Sequence, residues 1–205
     1  MSIEETIPFH TLIKEVGLWS AINFGPKQDP WLGMVEEVGE LAHCLLKRYQ
    51  GIRGYDDPLY FREEFKDALG DIGVYAANYA YNEQMRRIAY PRIAPNRTIN
   101  KHIANALHWL ADLKLIGEDK EDYLVWFGNF LKEVSCIAKL EDLDFAEVVS
   151  ETWLKVKMRN WKRNTQDGSG DTKTHVSNVS LDETATEGEW SKQGEEKESK
   201  DSTTT

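Results

Sequence analysis

The sequence predicts an all-α fold, an antiparallel helical bundle, and three observations carry that expectation. Apolar residues recur at spacings of three and four in six stretches separated by Gly, Pro or Asp. No stretch alternates apolar and polar residues between turn signals, so strands are not expected. The pairs Asp29-Pro30 and Asp57-Pro58 read as helix starts, an N-capping carboxylate followed by a residue with preset φ.

Leu12, Ile13, Val16, Trp19 and Ile22 share one face and predict a first helix over Thr6–Phe24, weakened at Gly17 and ended by Gly25-Pro26. The second helix covers Trp31–Arg48, with Met34, Val35, Val38, Leu41, Leu45 and Leu46 turned to a core. Gln50–Asp57 is a glycine-punctuated loop. A third helix starts at Pro58 and runs to Met85, with Phe65, Leu69, Ile72, Ala76 and Tyr79 on one side. Arg86–Arg97, with Pro91 and Pro95, reads as a loop. Helical patterns over Asn100–Ile116 and Asp122–Lys139 follow, separated by Gly117. The last helix spans Phe145–Lys162, introduced by Asp142 or Asp144 as N-cap. From 165 to 205 the chain is Gly, Ser, Thr, Asp, Glu and Lys with few apolar residues. Such a composition cannot offset its ordering entropy, so a disordered acidic tail is expected after one domain over residues 1–164.

The charge balance excludes some partners. The net charge is −10, and the tail holds ten acidic against four basic residues, so neither part carries a basic nucleic-acid footprint. The apolar runs are too short to cross a bilayer, and no basic, apolar leader precedes Thr6. Cys44 and Cys136 sit in amphipathic patterns as small hydrophobes or free thiols. The expectation is a cytoplasmic protein with no nucleic-acid or membrane partner.

The second helix carries the chemical signal. Glu36, Glu37 and Glu40 fall within roughly 100° of arc, with Lys47 on the same arc and His43 and Cys44 near its edges. Like charges at helix-neighbour spacing repel, so a cation is expected against them. On the third helix Glu64, Asp67, Asp71, Asn78 and Asn82 form a polar stripe within roughly 60°. A solvated face is the simpler explanation of either stripe alone. The loop between the two helices lets them lie antiparallel with the acidic arcs facing, and five carboxylates in one cleft would not all stay ionised without cations. Oxygen ligands of this kind select Mg²⁺ or Mn²⁺, ions suited to phosphate chemistry.

Glu36-Glu37-Val38-Gly39-Glu40 followed by Asp67-Ala68-Leu69-Gly70-Asp71 resembles the E-E-x-x-E and E-x-x-D pattern of the MazG-like all-α nucleoside triphosphate pyrophosphohydrolases. Asn23-Phe24-Gly25, Leu46-Lys47, Gln50-Gly51-Ile52-Arg53, Lys155-Val156, Arg159 and Trp161 extend the resemblance. It covers Leu12–Tyr79 well and Asp144–Lys162 more loosely, while residues 86–140 look diverged or inserted. One position departs: the first acid of E-x-x-D falls at Ala68, with Asp67 beside it. Glu64-Phe65-Lys66-Asp67 is a second registration of the same motif.

The resemblance implies Mg²⁺-dependent hydrolysis of a nucleoside triphosphate to the monophosphate and pyrophosphate by a homodimer or homotetramer. Glu37, Glu40, Asp71 and Asp67 are the expected metal ligands, and Glu36 and Glu37 the catalytic carboxylates, Glu36 acting on the attacking water. Lys47, Arg53, Lys155 and Arg159 are candidates for phosphate contacts. Asn78 and Asn82 are candidates to read the base or sugar, and Trp19 or Trp31 to stack on the base. Two other functions compete. A carboxylate-bridged di-metal bundle needs two Glu-x-x-His pairs, and only Glu40-Leu41-Ala42-His43 supplies one. A catalytically silent helical module that binds nucleotide or protein is favoured by Ala68.

Overall fold

The computed structural model describes residues 6–85, 88–115, 120–165 and 168, without the side chains of 120–122. Among the described residues there are six α-helices, one 3-10 turn and no strand. The helices are α1 (Phe9–Asn23), α2 (Pro30–Gln50), α3 (Pro58–Asn82), α4 (Ile99–Leu115), α5 (Lys120–Leu140) and α6 (Phe145–Val156). The expected tail lies outside the described residues apart from Thr165 and Gly168, as does the break at Gly117.

The expected caps form. Asp29 Oδ1 accepts from Leu32 N at 3.1 Å, and Asp57 Oδ1 from Leu59 N at 2.9 Å. Asp144, rather than Asp142, caps α6, accepting from Ala146 N and Glu147 N. Gly51 ends α2 in the left-handed region at φ +61°, and the chain returns through seven residues into α3. So short a connection makes α2 and α3 an antiparallel pair.

α3 is the centre of the bundle. Helices α1, α2 and α6 pack on it, while α4 and α5 pack chiefly on each other and meet the rest mainly through α4 on α2, with a smaller contact of α5 on α6. Phe65, Leu69, Ile72 and Ala76 on α3 are fully buried, as are Met34, Val38 and Leu41 on α2. Burying side chains of this size contributes about 1.5–3 kcal/mol each for the larger ones. Gly70 and Gly73 face α6, where an added Cβ would collide with the side chains of Thr152 and Val149. These two glycines let α6 press directly on α3.

Three expectations need correction. Leu46 is 51% exposed, because it lies at the far edge of the apolar arc of α2, well round the helix from buried Leu41 and Leu45, and Ile22 is 54% exposed at the end of α1. The last helix stops at Val156, not Lys162. Beyond it, Trp161 N donates to Asn23 Oδ1 at 2.8 Å and Asn160 N to Gly168 O at 2.7 Å. Bonds to distant partners replace the helical ladder, and the segment turns back over the end of α1. Among the described residues no helix is long and apolar enough to cross a membrane.

Candidate functional site

The acidic residues of α2 occupy the border of its buried stripe. Met34, Val38 and Leu41 bury against the bundle, and Glu37 lies next to Leu41 at the edge of their arc on the helical wheel. Its side chain is therefore drawn inward, leaving the residue only 8% exposed, while Glu36 and Glu40, farther round the helix from the buried arc, remain exposed. On α3, Asp71 is half-buried and Asp67 exposed.

Electrostatics show which of these groups face each other. Burial pushes the Glu37 carboxyl up to about 8, and the charges of Asp71, Glu40, Glu36 and Asp67 push in the same direction. Burial likewise raises Asp71 to about 6, with Asp67 and Glu40 adding to the shift and Arg159 and Lys155 opposing it. Coulombic influence falls with distance, so each group acting on Glu37 and Asp71 is a neighbour. Glu36, Glu37, Glu40, Asp67 and Asp71 are therefore neighbours, and two cations from the end of α6 and its continuation stand beside Asp71. The close α3–α6 contact at Gly70 and Gly73, and the turn after Val156, bring Lys155 and Arg159 there.

Glu64 is placed differently. It acts on Cys44 and Tyr55, at the other end of the α2–α3 pair. Of the two motif registrations, the one using Asp67 and Asp71 is the one that meets Glu37. Ala68 is 1% exposed and belongs to the core. His43 is exposed, its ring edge-on to Tyr55 at 5.9 Å.

Next to the acidic cleft is a cavity of about 260 Å³ between α1, α2 and α3. Glu36 lies on its rim, and Trp19, Phe24 and Tyr75 supply aromatic walls. Asn78, 5% exposed, lines it, so this sequence candidate is a buried cavity residue rather than a solvated one. Asn78 Nδ2 donates to Ser20 Oγ at 2.9 Å, and Ser20 Oγ donates to Gln28 Oε1 at 2.6 Å. Trp19 Nε1 donates to Arg159 O at 3.2 Å, tying the aromatic wall to the segment that carries the cation.

The remaining candidates sit elsewhere. Trp31 is not a free stacking platform: its Nε1 donates to Leu110 O at 2.8 Å, and Lys114 lies over its ring, so it fastens α2 to α4. Asn82 is exposed at the last residue of α3, one turn past the cavity wall formed by Asn78. Lys47 Nζ donates to Gln50 Oε1 at 3.2 Å in the last turn of α2. Arg53 is exposed in the α2–α3 turn at φ +60°. The cations beside Asp71 are Arg159 and Lys155.

Three residues of the site escaped sequence reasoning. Tyr75 lies four residues after Asp71 and three before Asn78, on the polar stripe itself. Its hydroxyl is pushed up by burial and then by Glu37, Asp71 and Glu36, which places it against the carboxylates. Ser20 and Gln28 lacked any local signal; only the fold carries them to Asn78.

The donor set, carboxylates with Lys155 and Arg159 beside Asp71, suits a hard divalent cation. Among the described residues no three His, Cys, Asp or Glu side chains form a ready-made ligand group. In comparisons with known proteins the chain matches no family model, no curated protein and no solved structure.

Proposed function

We propose that the chain is a divalent-metal-dependent hydrolase that splits a nucleoside triphosphate into monophosphate and pyrophosphate, with a bundle of the MazG-like type. One observation carries this reading: Glu37 is buried among four further carboxylates, with two cations and an aromatic-walled cavity adjoining. A structural role does not explain it, because burying an uncompensated carboxylate opposes folding.

In this reading Glu37, Glu40 and Asp71 hold Mg²⁺ or Mn²⁺, with Asp67 as a further ligand in place of the acid that Ala68 lacks. A bound divalent ion supplies charge neutralisation on the phosphate oxygens. Lys155 and Arg159 steady the same phosphates from the α6 side. Glu36, between the acidic cleft and the cavity, orients a water and takes its proton. As that water attacks phosphorus, the P–O bond between the α and β phosphates breaks and pyrophosphate leaves. The base enters the cavity, where Trp19 and Tyr75 flank it. Assembly as a homodimer or homotetramer is part of the proposal and rests on the family resemblance alone.

Incubation with a panel of ribo- and deoxyribonucleoside triphosphates, with Mg²⁺, with Mn²⁺ or with chelator, tests this directly. Metal-dependent release of pyrophosphate is expected. The burial of Ala68, which leaves one acid of the family motif without a counterpart at its own position, favours a silent nucleotide-binding module as the second reading. Absence of turnover for every nucleotide would decide for it.

A further inference from the structure

The cavity beside Glu36 holds an unusual polar arrangement. Asn78 Oδ1 is fully buried and accepts no hydrogen bond. An orphaned buried acceptor of this kind is destabilising, and native structures rarely retain one unless a ligand or water completes it. Its orientation is fixed from outside. A serine hydroxyl has one proton to donate. Ser20 places that proton on Gln28 Oε1 and therefore meets Asn78 only as an acceptor. Asn78 gives its NH₂ to Ser20, and its carbonyl is the group left without a partner in a residue that lines the cavity. Gln28, whose Oε1 is engaged, is left with its Nε2 as the donor at the half-buried rim.

We infer that Ser20, through Asn78 and Gln28, makes the cavity selective for bases that carry an exocyclic amine on the edge remote from the sugar, namely 4-aminopyrimidines and 6-aminopurines, over their oxo counterparts. The inference rests on the reading of the cavity as the base site of a nucleotide. The deeper group, Asn78 Oδ1, meets the tip of the base, where cytosine and adenine present an N–H donor and uracil and hypoxanthine a carbonyl. The ring nitrogen next to that amine is an acceptor, and Gln28 Nε2 is the donor that matches it. An oxo base would set a carbonyl against the Asn78 carbonyl and leave both acceptors unpaired.

Deamination pairs isolate this one group. Calorimetric dissociation constants for dCMP against dUMP, and for dAMP against dIMP, measured on the full chain, are expected to favour the amino member about tenfold or more. Ser20→Ala frees the Asn78 amide to rotate, and both ratios should fall to within about threefold of unity. Gln28→Leu, at a half-buried position whose replacement is compatible with folding, releases the Ser20 proton to Asn78 and should have the same effect. Equal affinity for the two members of each pair in the wild type would overturn the inference. So would ratios that neither Ser20→Ala nor Gln28→Leu changes, or failure of all four monophosphates to bind. Amine-selective binding with no pyrophosphate release would leave the inference standing and sink the hydrolase reading, so the two fail separately.

Discussion

Glu37→Gln in the metal-free protein gives the sharpest test of the acidic cleft. The ordinary value for this carboxyl, 4.5, rises to about 8 in the fold. Below 4.5 the group is protonated in folded and unfolded chains alike and contributes nothing to pH dependence. Between 4.5 and about 8 the folded chain keeps a proton that the unfolded chain has released, so stability falls as pH rises. Above about 8 the penalty is complete. At about 1.4 kcal/mol per pH unit, the whole span corresponds to about 4–5 kcal/mol, spread over a wider range by coupling to Asp71 and Glu40. Glutamine is isosteric and carries no titrating proton. In urea unfolding with chelator, the stability of the variant relative to wild type should therefore grow by several kcal/mol from pH 5 to pH 9. Mg²⁺ should raise the wild-type midpoint more at pH 8.5 than at pH 6, because the ion must displace that proton. Parallel pH profiles for wild type and variant would refute the burial of Glu37 among like charges, and with it the site.

Glu40→Gln should abolish Mg²⁺-dependent pyrophosphate release while the circular dichroism spectrum stays helical; full activity in that variant would sink the metal assignment. Arg159→Gln removes a charge that lowers Asp71, so the acid limb of the kcat/KM profile should move to higher pH, with a raised KM for triphosphate. Gly70→Ala should destabilise by about 1–3 kcal/mol, since its Cβ meets the Thr152 side chain, as read from urea midpoints. Gly39→Ala has open space around its Cβ in mid-helix and should stabilise by about 1 kcal/mol in the same assay.

Much of the fold is legible along the chain because helices are specified locally. Capping by Asp29, Asp57 and Asp144 needs only the next few residues, and the 3.6-residue period exposes the apolar stripe of each helix. The end of α6 was not legible, because the bonds that stop it come from Asn23 and Gly168. The same division holds within the site. Glu36, Glu37, Glu40, Asp67 and Asp71 were recoverable since neighbours on a helix face are set by geometry alone. Trp31 misled for the opposite reason: an indole on a helix looks the same whether it lines a cavity or, as here, bonds α4.

By itself, then, the sequence determined the helices, their caps and the crowding of carboxylates on two of them, all consequences of spacing within a single element. Only the tertiary structure decided that Glu37 is buried where Glu36 and Glu40 are not, and that Arg159 and Lys155 stand beside Asp71. It alone brought Ser20 and Gln28 to Asn78. Burial and long-range charge depend on which surface each helix presents to the others, and that choice is made by the packing of the whole bundle, here by the contact of α6 on Gly70 and Gly73 of α3.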